Sequence, residues 1–273
     1  MGISLGEFDY LRDLVRKHSA ISIQSGNEYL AESRLAHLAM TEGRASVAEL
    51  LTQMRVKPFG LLHRKVLDAM TNNETWFFRD LHPFEMIRQK LLPELIAKRS
   101  ATRRLQLWSA ASSSGQEAYS LAMMIEEHFP ELRTWTVKIL GTDISSAILN
   151  RARSGRYSQM EVNRGLPAAL LTRYFQREGL EWVVKDCIRN RVEFEPINLS
   201  APWPSLPSMD IVMMRNVLIY FDVPVKKQIL TQTRGAMKAD GYLLLGGAES
   251  VLNLDDQLER VAYEKTACYR LRS

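Results

Sequence analysis

The chain has 273 residues, of which 46% are hydrophobic and 25% charged, enough for one large α/β core and a small extra domain. The net charge of +5 is spread along the chain, with no Lys/Arg run of the kind that makes a nucleic-acid arm. Cys187 and Cys268 lie far apart without Cys/His ligand spacing, so no metal site is expected and a reducing, cytoplasmic setting is. No apolar run approaches the roughly 20 residues of a membrane span, and the first residues lack the pattern of a signal peptide.

Residues 4–70 carry helical spacing. Phe8, Leu11, Leu14 and Val15 form one apolar stripe, Tyr29, Leu30, Leu35 and Leu38 a second, and Val47, Leu50, Leu51 and Met54 a third. Pro58 is expected to open a further helix toward Met70. Residues 1–70 are therefore expected to be an all-helical domain. A polar-aromatic segment, TNNETWFFRD, and a helix from Pro83 to Lys98 make up a connecting segment over 71–98. Trp76, Phe77 and Phe78 are expected to pack between domains.

From residue 99 to 273 the pattern changes. LQLWSA, VKILGTDI, MDIVMMRNVLIYF and GYLLLGGAE are apolar runs, and helical stretches follow the first three, the last of these from about Pro224 to Lys238. Strands apolar on both faces, alternating with helices, predict an α/β domain with a parallel sheet covered on both sides. An inserted subdomain is expected at approximately 166–195, with a helix at Leu166–Phe175 and EWVVKD as half of a small hairpin. ACYRLRS is read as the last strand, close to the end of the chain.

Open parallel sheets bind ligands at the carboxyl ends of their strands, so the informative residues should follow the apolar runs. After the first run comes AASSSGQE, which contains only Gly115 and is not a diphosphate-binding glycine loop. Glu117 can accept from an ammonium group; its alternative role is a helix-start acid favoured by the dipole. Asp143 ends the second run, where a carboxylate can take both hydroxyls of a ribose; its alternative role is a helix N-cap. The two acids together favour a nucleoside bearing a free amino group, such as S-adenosylmethionine. Arg215 and Asn216 follow DIVMM, where a polar pair must sit at a strand tip or be paired. Asn198 and Leu199 could flank an adenine ring. In TNNETWFFRD, Asn73, Thr75 and Arg79 interleave with the aromatics, and Arg79 could clamp a carboxylate. No GxSxG or Walker loop occurs.

TNNETWFFRD, LWSAASSSGQEAYSLAM, GTDIS, INL, RNVLIYFD and GYLLLGGAES, in this order, resemble the CheR family of chemotaxis receptor methyltransferases over nearly the whole chain. The resemblance implies a helical N-terminal domain followed by a Rossmann-like methyltransferase domain with a small antiparallel inserted subdomain. It implies S-adenosylmethionine as cofactor, S-adenosylhomocysteine as product, no metal, and methyl esterification of glutamate side chains on the cytoplasmic helical domain of chemotaxis receptors. By motif, the residues resembling the family's cofactor contacts are Asn73, Thr75, Arg79, Glu117, Asp143, Asn198, Leu199, Arg215 and Asn216. Arg79 and Tyr220 are the expected catalytic residues, the first for the substrate carboxylate or for closing over the ligand, the second for the methyl-transfer channel. Family members commonly carry two adjacent acids before Pro-Tyr-Ser; here Gln116 replaces the first acid and Ala118 the proline, while Glu117 is kept. The inserted hairpin is short, with a turn near REGLE, which predicts no need for a pentapeptide tether on the receptor. A monomer is expected, without nucleic-acid or membrane-inserting partners. A methyltransferase on another substrate and a non-catalytic S-adenosylmethionine-binding scaffold are the alternative readings.

Overall fold

A computed structural model describes residues 2–263 and 266–272. The chain divides into two compact units, 1–72 with 220–225 and 73–219 with 226–273.

The first unit is built on α1 (Leu5–Ser19), α2 (Glu28–Thr41), α3 (Val47–Arg55) and α4 (Leu61–Met70). Its core is Phe8, Leu11, Val15, Ala31, Leu35, Leu50, Leu51, Met54 and Val66. Ser4 starts α1 with a reciprocal capping box to Glu7, and Ser46 caps α3 through Glu49 N–H. The second stripe differs from expectation. In α2 the buried line is Ala31, Leu35 and Ala39, while Tyr29 is 70% exposed, because small residues allow closer helix packing here than an aromatic. α4 starts at Leu61 rather than at Pro58. Gly60 is its N-cap, and Gly60 N–H donates to His63 Nδ1 at 3.2 Å. Tyr220 and Asp222 join this unit: Ser22 N–H donates to the Tyr220 carbonyl, and Arg16 pairs with Asp222 at 3.1 Å.

The second unit begins with a helix in three parts, α5 (His82–Met86), a π-helical turn at Ile87–Leu91 and α6 (Leu92–Lys98). Pro93 has no N–H for the helical ladder, and the turn before it widens. Then come β1 (Arg104–Ala110), α7 (Gln116–His128), β2 (Thr136–Asp143) and α8 (Ser146–Ser154). The inserted region holds β3 (Arg156–Ser158), α9 (Gln159–Asn163), α10 (Ala168–Tyr174), β4 (Phe175–Glu178), β5 (Glu181–Val184) and α11 (Asp186–Arg189). The chain closes with β6 (Val192–Pro196), β7 (Met209–Met214), α12 (Val223–Ala236), β8 (Met237–Leu245), β9 (Leu258–Val261) and β10 (Ala267–Leu271).

The main sheet has seven strands in the order β6-β2-β1-β7-β8-β10-β9, parallel except for β10, which runs antiparallel to both β8 and β9. The fully buried β7 is the apolar-on-both-faces strand that its sequence predicts. The chain passes from β1 outward to β2 and β6, then returns to the other side of β1 as β7. That reversal places a topological switch point between β1 and β7.

The insertion forms an antiparallel sheet of order β3-β5-β4. It begins with Arg156, ahead of the expected start at 166, and RVEFEP belongs to the main sheet as β6. β3 is only three residues long, too short for a periodic signal. β4 and β5 join through Gly179-Leu180, with Gly179 at φ +62°, a tight turn that suits glycine. Phe77 is fully buried, with ring contacts to Tyr157 at 5.0 Å and Phe175 at 5.6 Å, and Phe78 packs on Phe84. Phe77 and Phe78 thus belong to the core of the second unit, where the sequence suggested packing between domains. Among the described residues no helix is long and apolar enough to cross a membrane.

Candidate functional site

The loop after β1 is folded back on itself by three left-handed residues, Ala111, Ser113 and Gly115, at φ +56°, +51° and +91°. Its partners explain how it holds that shape. Ser112 N–H donates to the Thr142 carbonyl at 2.7 Å, Ser113 Oγ to the Asn73 carbonyl at 2.8 Å, and Tyr157 OH to the Ser114 carbonyl at 2.6 Å. A Cβ on Gly115 would lie 2.9 Å from the Phe194 ring, and one on Gly141 would lie 2.5 Å from the same ring. Both glycines are therefore dictated by packing, and Gly115 by its backbone shape as well.

Asp143 is 7% exposed at the tip of β2. Its Oδ2 accepts from Ser113 N–H at 2.9 Å and its Oδ1 from Ser145 N–H at 3.1 Å. The N-cap of α8 is Ser145, so Asp143 is not the helix cap of the alternative reading. Glu117 lies in the first turn of α7, where Oε1 accepts from Ser109 Oγ at 2.8 Å and Oε2 from Arg215 Nη1 at 2.9 Å. The two acids thus stand over neighbouring parallel strands, each tied to the loop or strand beside it.

Arg215 follows β7 and is both at a strand tip and paired. Its side chain is 1% exposed, and Nη2 donates to the Arg79 carbonyl at 2.8 Å and to Asp80 Oδ2 at 2.7 Å. Asn216 adopts φ +56°. Its N–H donates to Glu249 Oε2, which also accepts from Gly246 N–H, while Oε1 accepts from Ile219 N–H. Asn198 Oδ1 accepts from the Ser200 N–H and hydroxyl. Leu199 is buried, and its carbonyl accepts from the Trp203 indole. Trp203 in turn packs edge-on against Trp108, which donates to Thr142.

Asn73 reaches the site through its carbonyl, and Thr75 is half-buried nearby in sequence. The Arg79 guanidinium lies 4.4 Å from the centre of the Trp76 ring and donates to the Glu74 carbonyl. Arg164 stands 3.9 Å from the same ring, and its hydrogen bond to Glu74 holds that carboxyl below the usual carboxylate range. Tyr220 is grouped with the helical unit, where its hydroxyl accepts from the Asn72 side chain at 2.8 Å. Asp80 and Glu249 were not singled out from sequence. The signal for Glu249 was available: an acid four residues after a strand that ends on Leu245.

Does this donor set suit a nucleoside with an amino-acid tail? Two carboxylates fit an ammonium and a diol, and the loop lacks the glycines of a diphosphate site. Ser112 Oγ and Asn216 Oδ1 are buried without hydrogen-bond partners, which supplies further polar capacity in the loops around the acids. The residues fit S-adenosylmethionine. Among the described residues no group of three His, Cys, Asp or Glu side chains could hold a metal ion. A separate cavity of about 690 Å³ between Lys227, Val251 and Tyr269 is lined by none of these residues.

A doubly wound sheet with a carboxylate over each of two adjacent strands near its switch point defines an α/β protein of the nucleoside-binding, methyltransferase class. The family model described as "CheR methyltransferase, SAM binding domain" matches residues 73–267. Chemotaxis protein methyltransferase 1 of Pseudomonas aeruginosa is 41% identical over 277 aligned residues, covering 100% of both chains. Chemotaxis protein methyltransferase Cher2 of Pseudomonas putida is 40% identical, covering 97% of this chain and 98% of the relative. A chemotaxis protein methyltransferase of Vibrio parahaemolyticus is 37% identical, covering 99% of each. The chain belongs to the CheR methyltransferase family, as its motifs suggested.

Proposed function

We propose that this methyltransferase esterifies glutamate side chains on the cytoplasmic helical domain of chemotaxis receptors, using S-adenosylmethionine. The observation that carries the reading is the pair Glu117 and Asp143, each fixed by hydrogen bonds within the segment that the family model matches. Bound S-adenosylmethionine supplies a methyl group activated by an adjacent sulfonium.

Every other task falls to the chain. A glutamate carboxylate is already ionised at neutral pH, so no residue has to remove a proton. The work is binding and alignment, which can contribute about 7–11 kcal/mol to lowering a barrier. Glu117 takes the ammonium and Asp143 the ribose hydroxyls. Asn198 and Leu199 bound the adenine, and Arg215 and Asn216 hold the loop beside them. Asn73 and Thr75 complete the cofactor side. Arg79, a cation beside Trp76, orients the substrate carboxylate. Arg79→Ala is expected to lower turnover or cofactor affinity at least tenfold; unchanged values for both remove Arg79 from the site.

The turn of two residues, Gly179-Leu180, supports action without a receptor tether, since it offers little surface for gripping a peptide. Calorimetry with a receptor C-terminal pentapeptide is expected to show no tight complex. The helical unit is the proposed receptor-docking domain, and the enzyme is proposed to act in the cytoplasm as a monomer.

The reaction class is tested with radiolabelled S-adenosylmethionine and receptor cytoplasmic fragments, followed by mild base. Label released as volatile methanol identifies a carboxyl methyl ester. Base-stable label rules the ester out, and cofactor binding without transfer to any receptor favours a scaffold.

A further inference from the structure

The carboxylate of Glu117, the proposed acceptor of the methyl donor's ammonium, is already engaged by Arg215, whose buried guanidinium also holds Asp80 and the Arg79 carbonyl. We propose that Asp80 is a positioning residue: acting through Arg215, it keeps negative charge at Glu117 for an incoming cation and fixes the backbone that carries Arg79. This role rests on Glu117 receiving the ammonium.

Charge and geometry both lead there. One guanidinium serves two carboxylates, so the cluster keeps one unit of negative charge. If Arg215 faced Glu117 alone, the pair would be neutral and the attraction for an ammonium largely cancelled. Asp80 meets Nη2 of the same guanidinium at 2.7 Å while Glu117 meets Nη1 at 2.9 Å, so the Asp80 carboxylate offsets the positive charge that Glu117 faces. Three of the five Arg215 N–H donors meet protein acceptors, one on Nη1 with Glu117 and two on Nη2 with Asp80 and the Arg79 carbonyl. Through Glu117, Arg215 sets the charge that meets the ammonium.

The second half of the role is mechanical. Phe78, Asp80 and Leu81 hold φ values of +52°, +64° and +30°, three positive values within four residues and none at a glycine. Such backbone persists only where its surroundings over-determine it. The two bonds from Arg215 to Arg79 and Asp80 are part of that constraint, alongside Phe78 N–H donating to Ser120 Oγ at 3.0 Å. One side chain thus ties the ammonium acceptor to the segment that carries Arg79.

Asp80 is 48% exposed at the side chain and borders an open cleft with Trp76, Leu81 and Glu85, so solvent screens its charge. The expected effect is accordingly moderate. Asp80→Asn should weaken binding of S-adenosylhomocysteine about three- to tenfold by calorimetry. Binding of 5′-methylthioadenosine, which lacks the amino-acid group, should stay unchanged, and Asp80→Glu should recover most of the loss. Equal weakening of both ligands would show a merely structural role and overturn the proposal, as would unchanged S-adenosylhomocysteine binding in the Asn variant. The parent reading fails separately: a wild-type protein that does not bind S-adenosylhomocysteine overturns both, whereas wild-type binding with an indifferent Asp80→Asn overturns the role of Asp80 alone.

Discussion

Phe194 decides what can stand at two backbone positions around the site. Its ring leaves no room for a side chain at Gly141, whose added Cβ would also lie 3.0 Å from Ser112 Oγ. Gly141→Ala should therefore destabilise the protein by about 1–3 kcal/mol, the usual range for overpacking a tight core. Phe194→Leu in the same chain should return part of that loss, which urea unfolding of the single and double variants can measure. If the double variant is merely the sum of its parts, Phe194 is not the obstacle. The two cysteines give a second check at this scale. Burial pushes the Cys268 thiol up to about 12, while Cys187 is exposed. Alkylation of the native protein near neutral pH should modify Cys187 alone, because the thiolate is the reactive form; rapid labelling at Cys268 would contradict its burial.

At the scale of elements, the site is a set of strand ends pinned by carboxylates. Asp143 binds the loop after β1, and Glu249 gathers three main-chain amides from the ends of β7 and β8. Glu249→Gln puts an NH2 group against one of those donors. The expected cost is about 1–3 kcal/mol, with faster hydrogen exchange at Asn216, Ile219 and Gly246 in the ligand-free protein. Unaltered exchange at these amides would mean that other contacts hold the turn. The inserted sheet also reaches the site at one point, where the buried Tyr157 hydroxyl holds the Ser114 carbonyl.

Across the whole molecule, acid stability is set by paired carboxyls. At the opposite end of the sheet from the site, Arg99 bridges Asp210 and Asp240, and Lys238 also binds Asp210. The hydrogen bond from Arg99 holds the Asp240 carboxyl below its usual range. Glu94 and Glu127 are lowered in the same sense, by Lys98 and by Tyr174. A folded-state pKa below the unfolded one contributes stability that is present above the ordinary carboxylate pKa and lost as pH falls from there through the lowered folded-state value. Stability should thus decline in acid, and Asp240→Asn should flatten that decline while lowering stability at neutral pH. A pH profile of unfolding free energy parallel to the wild type would remove Asp240 from this role.

The sequence by itself determined the elements that have a period and the acids that end them. Four long apolar runs sit as β1, β2, β7 and β8 because a strand covered on both faces must be apolar throughout. The positions of Glu117 just beyond β1 and of Asp143 at the end of β2 were legible because each follows an apolar run. Short elements were not legible. β3 and β9 have three and four residues, and their stability comes from neighbours far along the chain. Nor could sequence assign partners to charges. Arg215 meets Asp80 across 135 positions and Glu117 across 98, and Glu249 meets Asn216 across 33. Only the tertiary structure decided these pairings, because a guanidinium or carboxylate is matched by geometry and burial, neither of which leaves a periodic trace in the chain.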